Sequence, residues 1–335
     1  MVRTKNADLL PHTSSGSSDP NRMDTQHKEI SSSDLRNQPT RSENSSPYAV
    51  RSRSPMSQKY HSMYSEVKSS KGNKQMVSQL IDKVLEGKKM IASSKGKTRI
   101  ELPEVLLENG NIYIGQWTDE KMDGSGTLLY ADGCEYVGQW VAGHATGRGR
   151  FTHSSGEVYE GELLESKANG HGTYRYSDGT VYEGGWLNDK YHGYGKETKK
   201  DGSIIMATYV NGVKNGKATG LFTDGSKFEG NYINDQISGF GTLEYADKRK
   251  YVGNFENGMM HGQGIYTWPD GRYYKGEYVD DKKSGYGEFK YADGRIYKGE
   301  WKDGRQHGQG EIIHPAGNSE HGTWEMGKKV STSLF

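Results

Sequence analysis

From about residue 112 onward, apolar and polar side chains alternate in short bursts that return at a fixed interval. In Tyr274-Lys275-Gly276-Glu277-Tyr278, aromatic or glycine positions alternate with charged ones. A period of two reads as a strand with one dry face and one wet face. Gly285-x-Gly287 and then Asp293-Gly294 follow. The set recurs every 23 residues: Tyr297-x-Gly299-x-Trp301 lies ahead, and Tyr251, Phe228, Ile205, Tyr182, Tyr159, Tyr136 and Tyr113 lie behind. A worn tenth copy sits at Glu320-x-Gly322-x-Trp324, and no copy gains or loses a residue. Such a period predicts a repeat array.

Each repeat reads as two short strands. In the second, residues 135–141 form one and 147–152 the other, with a turn over 142–146. Asp132-Gly133, Asp178-Gly179, Asp201-Gly202, Asp224-Gly225, Asp270-Gly271 and Asp293-Gly294 mark the other turn, supplying positive φ. Tyr136, Gly138 and Trp140 share one face, as do Gly147, Gly149 and Phe151, while Gln139, Arg148 and Arg150 point the other way. Glycine weakens a strand. Its use twice per repeat makes sense if a neighbouring ring lies flat over the bare backbone. The pattern predicts an all-β, elongated, single-layer array of about ten antiparallel hairpins over residues 106–329.

Three copies depart from the pattern. The fifth has Ile205, Ala207 and Ala218 where an aromatic and two glycines are due; Lys248 replaces a turn glycine; Leu163 replaces an aromatic. These predict that the middle of the array is its least regular part.

Ahead of the array, residues 1–72 are polar and Ser-rich, a composition that predicts a disordered arm. Ser46 and Ser54 precede prolines and fit proline-directed phosphorylation, with incidental Ser-Pro in a solvated tail as the alternative. Within 73–92, Val77, Leu80, Ile81, Val84 and Leu85 fall on one helical stripe with Lys83, Lys88 and Lys89 off it. This amphipathic helix would cover the first edge of the array, dock to a partner, or lie on a membrane. A basic linker, 93–105, includes Lys95, Lys97 and Arg99; a short tail, 330–335, ends the chain.

The net charge of +1 hides a split: residues 1–100 carry 18 Lys/Arg against 9 Asp/Glu, net +9, and residues 101–335 carry 26 against 34, net −8. The arm suits an acidic partner surface, with Lys83, Lys88, Lys89, Lys95, Lys97 and Arg99 as candidate contacts, unless it folds loosely back on its own array. No specific nucleic-acid recognition is expected. No run of about 18 apolar residues occurs, and with Val2 where that motif needs glycine, N-myristoylation is not expected. A cytoplasmic setting is expected, with cytoskeleton, cilium, cortex or a membrane periphery as sites.

Tyr-x-Gly-x-Trp, Gly-x-Gly and Asp-Gly at this period resemble the MORN repeat (membrane occupation and recognition nexus), over about two-thirds of the chain. The resemblance implies a twisted hairpin array. It also implies the company of junctophilins, plant phosphatidylinositol phosphate kinases, radial spoke head proteins and parasite cytoskeletal scaffolds. Some of these bind anionic lipid, some dimerise through terminal repeats, and some grip peptides. A homodimer through terminal repeats and a phosphoinositide-kinase partner are therefore among the expectations.

Catalytic chemistry finds little support. Residues 212–218 imitate a phosphate loop but are one residue short, with Ala218 where Ser or Thr must meet magnesium. His192, His261 and His307 share a repeat position, but the nearest two are two repeats apart, ~19 Å at ~4.8 Å per strand, too far for one metal. Cys134 is the only cysteine. No enzyme activity, cofactor or metal is expected. The favoured site is the aromatic face of the C-terminal half: Tyr251, Phe255, Tyr266, Trp268, Tyr274, Tyr278, Phe289, Tyr291, Tyr297 and Trp301. A single layer is expected to leave these rings partly open to a partner helix, to residues 74–91 or to a second copy. The alternative is that the sheet's twist folds the rings onto their glycines and leaves no groove.

Overall fold

Alternating residues with glycine under every lead tyrosine build a sheet that packs on itself. The structure, a computed structural model, describes residues 99–332. The arm 1–72, the expected helix 73–92 with Lys83, Lys88 and Lys89, and the linker positions Lys95 and Lys97 lie outside the described residues, as do residues 333–335. The described residues form 22 strands in one sheet. Pairing is antiparallel and passes from each hairpin to the next along the chain, from Ile100–Leu106 to Lys328–Thr332.

The second repeat shows the unit. Glu135–Val141 pairs with His144–Thr152, placing Gly138 opposite Gly149 and Tyr136 opposite Phe151. The register shifts before Trp140 meets Ala145, a bulge at which Gly147 takes φ of 93°. A side chain there would be strained, so this glycine is required. The same shift recurs in the eighth and ninth repeats.

Two turn assignments are corrected. The turn expected over 142–146 is only Ala142-Gly143, both at positive φ (50° and 93°), the two-residue form whose twist matches that of the strands. The Asp-Gly turn is the wider one. Only Gly133 has positive φ there, while Asp132 Oδ1 accepts the Cys134 N–H at 3.0 Å and braces the loop.

The linker boundary also moves. Ile100–Leu106, placed by sequence in the linker, is a strand paired with Ile112–Thr118. Leu102 and Val105 are 2% and 1% exposed, and that burial explains why the segment joins the sheet. This strand lies on the first hairpin. The fifth repeat keeps its pairing, with Ile205, Ala207 and Ala218 buried. The interruption falls one repeat later, between Gln236–Ile237 and Gly239–Glu244, where Ser238 N–H donates to Asn231 O.

Twenty successive spacings of ~4.8 Å give a sheet roughly 95 Å along its stacking direction before twist shortens it. Residues 99–335 should scatter X-rays with a radius of gyration above about 25 Å, against about 18 Å for a globule of that length. A value near 18 Å would refute an extended array.

Candidate functional site

The aromatic face is built from one tyrosine, its glycines and a second ring. Tyr274 lies across Gly276 and Gly287, its hydroxyl donating to Glu277 O at 3.0 Å. Tyr251 and Tyr297 repeat this, donating to Asn254 O at 2.8 Å and Glu300 O at 3.0 Å. Burial raises the pKa of each of these phenols, so all three stay neutral donors. The second ring stands edge-on to the first and reaches the lead ring of the preceding repeat. Tyr278 meets Tyr274 at 5.2 Å and Tyr251 at 5.3 Å; Trp301 meets Tyr297 at 5.5 Å and Tyr274 at 5.1 Å. Trp301 Nε1–H also donates to Gly287 O at 3.3 Å. Edge-to-face contacts of this kind add to the gain from burial.

The expectation of an open aromatic face is corrected. Tyr251, Phe255, Tyr266, Tyr274, Tyr278, Phe289, Tyr297 and Trp301 are each at most 9% exposed. The glycines let each ring lie close enough for its neighbours to close over it, so the face is a core. Trp268 and Tyr291 alone among the ten stay half-buried, and both carry an arginine. Arg272 lies over Trp268 and bonds Asp270 at 2.6 Å; Arg295 lies over Tyr291 and bonds Asp293 at 2.7 Å; Arg249, Tyr245 and Asp247 repeat the set one copy earlier. Of the six basic candidates, Arg99 is the one described, and it bonds Asp123 at 2.9 Å.

One residue of this core was not legible as such in the sequence. Lys283 sits opposite Tyr278 and is 6% exposed. Its Nζ lies 4.6 Å from the Phe289 ring centroid, 4.7 Å from Trp301, 5.2 Å from Tyr274 and 5.5 Å from Trp268. Burial, and then the charge of Arg272, push its pKa down to about 7. The equivalent Lys214 differs in having Glu197 at 3.5 Å and Asp235 at 3.9 Å.

The most exposed aromatic groups are on the other face. Tyr194, Phe240 and Tyr286 are 64%, 62% and 66% exposed. Each is the middle residue of a Gly-x-Gly, and they stand 46 residues apart. That spacing was the available signal, and alternation assigned those positions simply to the wet side. Among the described residues, no group of three or more His, Cys, Asp or Glu side chains is placed to hold a metal, and no helix is long and apolar enough to cross a membrane.

The MORN repeat pattern matches eight segments: 113–135, 136–158, 159–181, 182–204, 228–248, 251–271, 274–294 and 297–319. The chain belongs to the MORN-repeat family. Within this MORN array the fifth copy, 205–227, falls between matched segments. No curated protein matches the chain. Among solved structures, it is similar to the Drosophila melanogaster SAS-4 TCP domain in complex with a proline-rich motif of Ana2. That likeness has 14% identity, a TM-score of 0.31, and covers 56% of this chain and 93% of that one. The G-box domain of the microcephaly protein CPAP (14%, TM-score 0.29, 66% and 98%) and the Danio rerio CPAP TCP10 domain (12%, TM-score 0.25, 69% and 96%) are also similar.

Proposed function

We propose that this MORN protein is a non-enzymatic scaffold that joins other proteins at a cytoskeletal, ciliary or cortical structure in the cytoplasm. The supporting observation is the division of labour between faces. The rings are consumed in holding the array together, while apolar side chains stand exposed along the outer face. A continuous sheet, 22 strands among the described residues, presents those side chains at regular intervals, as a scaffold requires. Proximity labelling with a biotin ligase fused to the full chain tests this. Enrichment of cytoskeletal, ciliary or cortical proteins is the expected result; labelling no different from free ligase would overturn it.

The charge split favours a second reading, a peripheral adaptor for anionic lipids such as phosphoinositides, or an accessory partner of a phosphoinositide kinase. With +9 on residues 1–100 and −8 on the rest, lipid binding would reside in the arm. Removing residues 1–99 should abolish co-sedimentation with phosphoinositide vesicles. Equal binding by the array alone would defeat this charge argument.

A further inference from the structure

The outer face is unevenly apolar. Among the described residues, eight of the seventeen exposed large apolar side chains fall within 187–240, on and beside the fifth repeat. Cross-strand register joins them. Thr208 lies opposite Tyr194, Met206 opposite Lys196, and Ile204 opposite Leu221. Lys217 lies opposite Asn231, whose Nδ2 donates to Phe240 O. Tyr194 and Phe240 thus end a row across the sheet that passes over Thr208, Lys217 and Asn231, with Met206, Val210 and Leu221 beside it on the intervening strands. Four strand spacings separate the ends, ~19 Å. The lysines are as local as the apolar groups. Lys190, Lys196, Lys217 and Lys227 are all exposed here. Residues 182–227 carry seven Lys against five Asp/Glu, net +2, inside an array that is net −8.

We infer that this outer patch, centred on the fifth repeat, is the docking site for an acidic amphipathic helix of a partner protein. The inference rests on the scaffold reading and names its partner chemistry. A helix of about 13 residues spans ~19 Å and sets apolar anchors at i, i+4, i+7 and i+11 along one side. Its carboxylates then face Lys190, Lys196 and Lys217. Charge decides against other occupants. The chain's own first 100 residues are net +9, the wrong sign for a lysine-edged patch. A second copy docking through the same face sets lysine against lysine. An anionic bilayer meets the whole array at −8, with Glu183 and Glu229 exposed beside the patch, whereas a helix meets the patch alone.

The probes are two fluorescent 16-residue helical peptides with one leucine face, one carrying Glu and the other Lys opposite it, and vesicles containing 30% phosphatidylserine. The full chain should bind the Glu peptide at least ten-fold more tightly than the Lys peptide, and more weakly as salt rises. The Tyr194→Ser/Phe240→Ser pair should lose ten-fold or more. Lys190→Glu/Lys196→Glu/Lys217→Glu should reverse the preference, which serves also if the first pair melts early. Equal binding of both peptides, a Glu-peptide affinity unmoved by both variants, or vesicle binding that only the patch variants abolish would each overturn the proposal. Proximity labelling of the wild type separates the two claims. Cytoskeletal partners recovered without Glu-peptide binding leave the scaffold and remove the patch; no partners at all remove both.

Discussion

Gly276→Val is expected to lower the stability of the array by about 3–5 kcal/mol, while Lys275→Val, one residue earlier, moves it by less than about 0.5 kcal/mol. A Cβ at 276 would lie 2.6 Å from the Tyr274 hydroxyl oxygen and 2.7 Å from the Gly287 Cα. The ring and the facing backbone leave no direction for relief. Tyr274 must leave the sheet, losing its bond to Glu277 O and its contacts with Tyr278 and Trp301. Lys275 is exposed, and valine suits a strand. Chemical denaturation of the two variants measures this, and equal midpoints would refute the assignment of faces.

Lys283→Met is expected to stabilise the protein at pH 7 and to remove a pH dependence. The unfolded lysine holds its proton to about pH 10.4. The folded one releases it near pH 7, because burial opposes the charge. Between those values the unfolded chain binds more protons, so stability rises with pH. Because the folded group is still half protonated at pH 7, about 1.4 kcal/mol per unit gives the wild type a gain of about 2 kcal/mol from pH 7 to pH 9. The four rings favour the ammonium and make this an upper figure. Met260 fills the equivalent place against Phe255, so methionine fits. Melting curves at pH 7, 8 and 9 should rise for the wild type and stay flat for the variant; parallel slopes would exclude Lys283 as the cause.

Period, strand pairs and inner face were readable because each rests on local rules. Tyr274, Gly276 and Tyr278 alternate, and a glycine two residues after a tyrosine on the same face leaves room for that ring to lie flat. Three things were not readable. The first strand, Ile100–Leu106, carries no Tyr-x-Gly signature and joins the sheet only because Leu102 and Val105 find a face to bury. Closure of the aromatic face depends on how far each ring leans onto the next repeat, as Tyr251 does on Tyr278, and alternation fixes side but not tilt. Lys283 reads as one more surface lysine until the bulge beside it turns its side chain inward. The ten rings do share one face of the sheet, as alternation predicts, but eight of them are buried in it.

Because every hairpin among the described residues bonds only to its neighbours, the sheet has no tie from one end to the other. Tension applied to its two ends therefore loads one strand pair at a time. The array opens like a zip, at a force set by its weakest hairpin and independent of how many repeats it has. Length then adds reach and extensibility without adding strength. A tether of this kind yields gradually under load and re-forms hairpin by hairpin when the load is released.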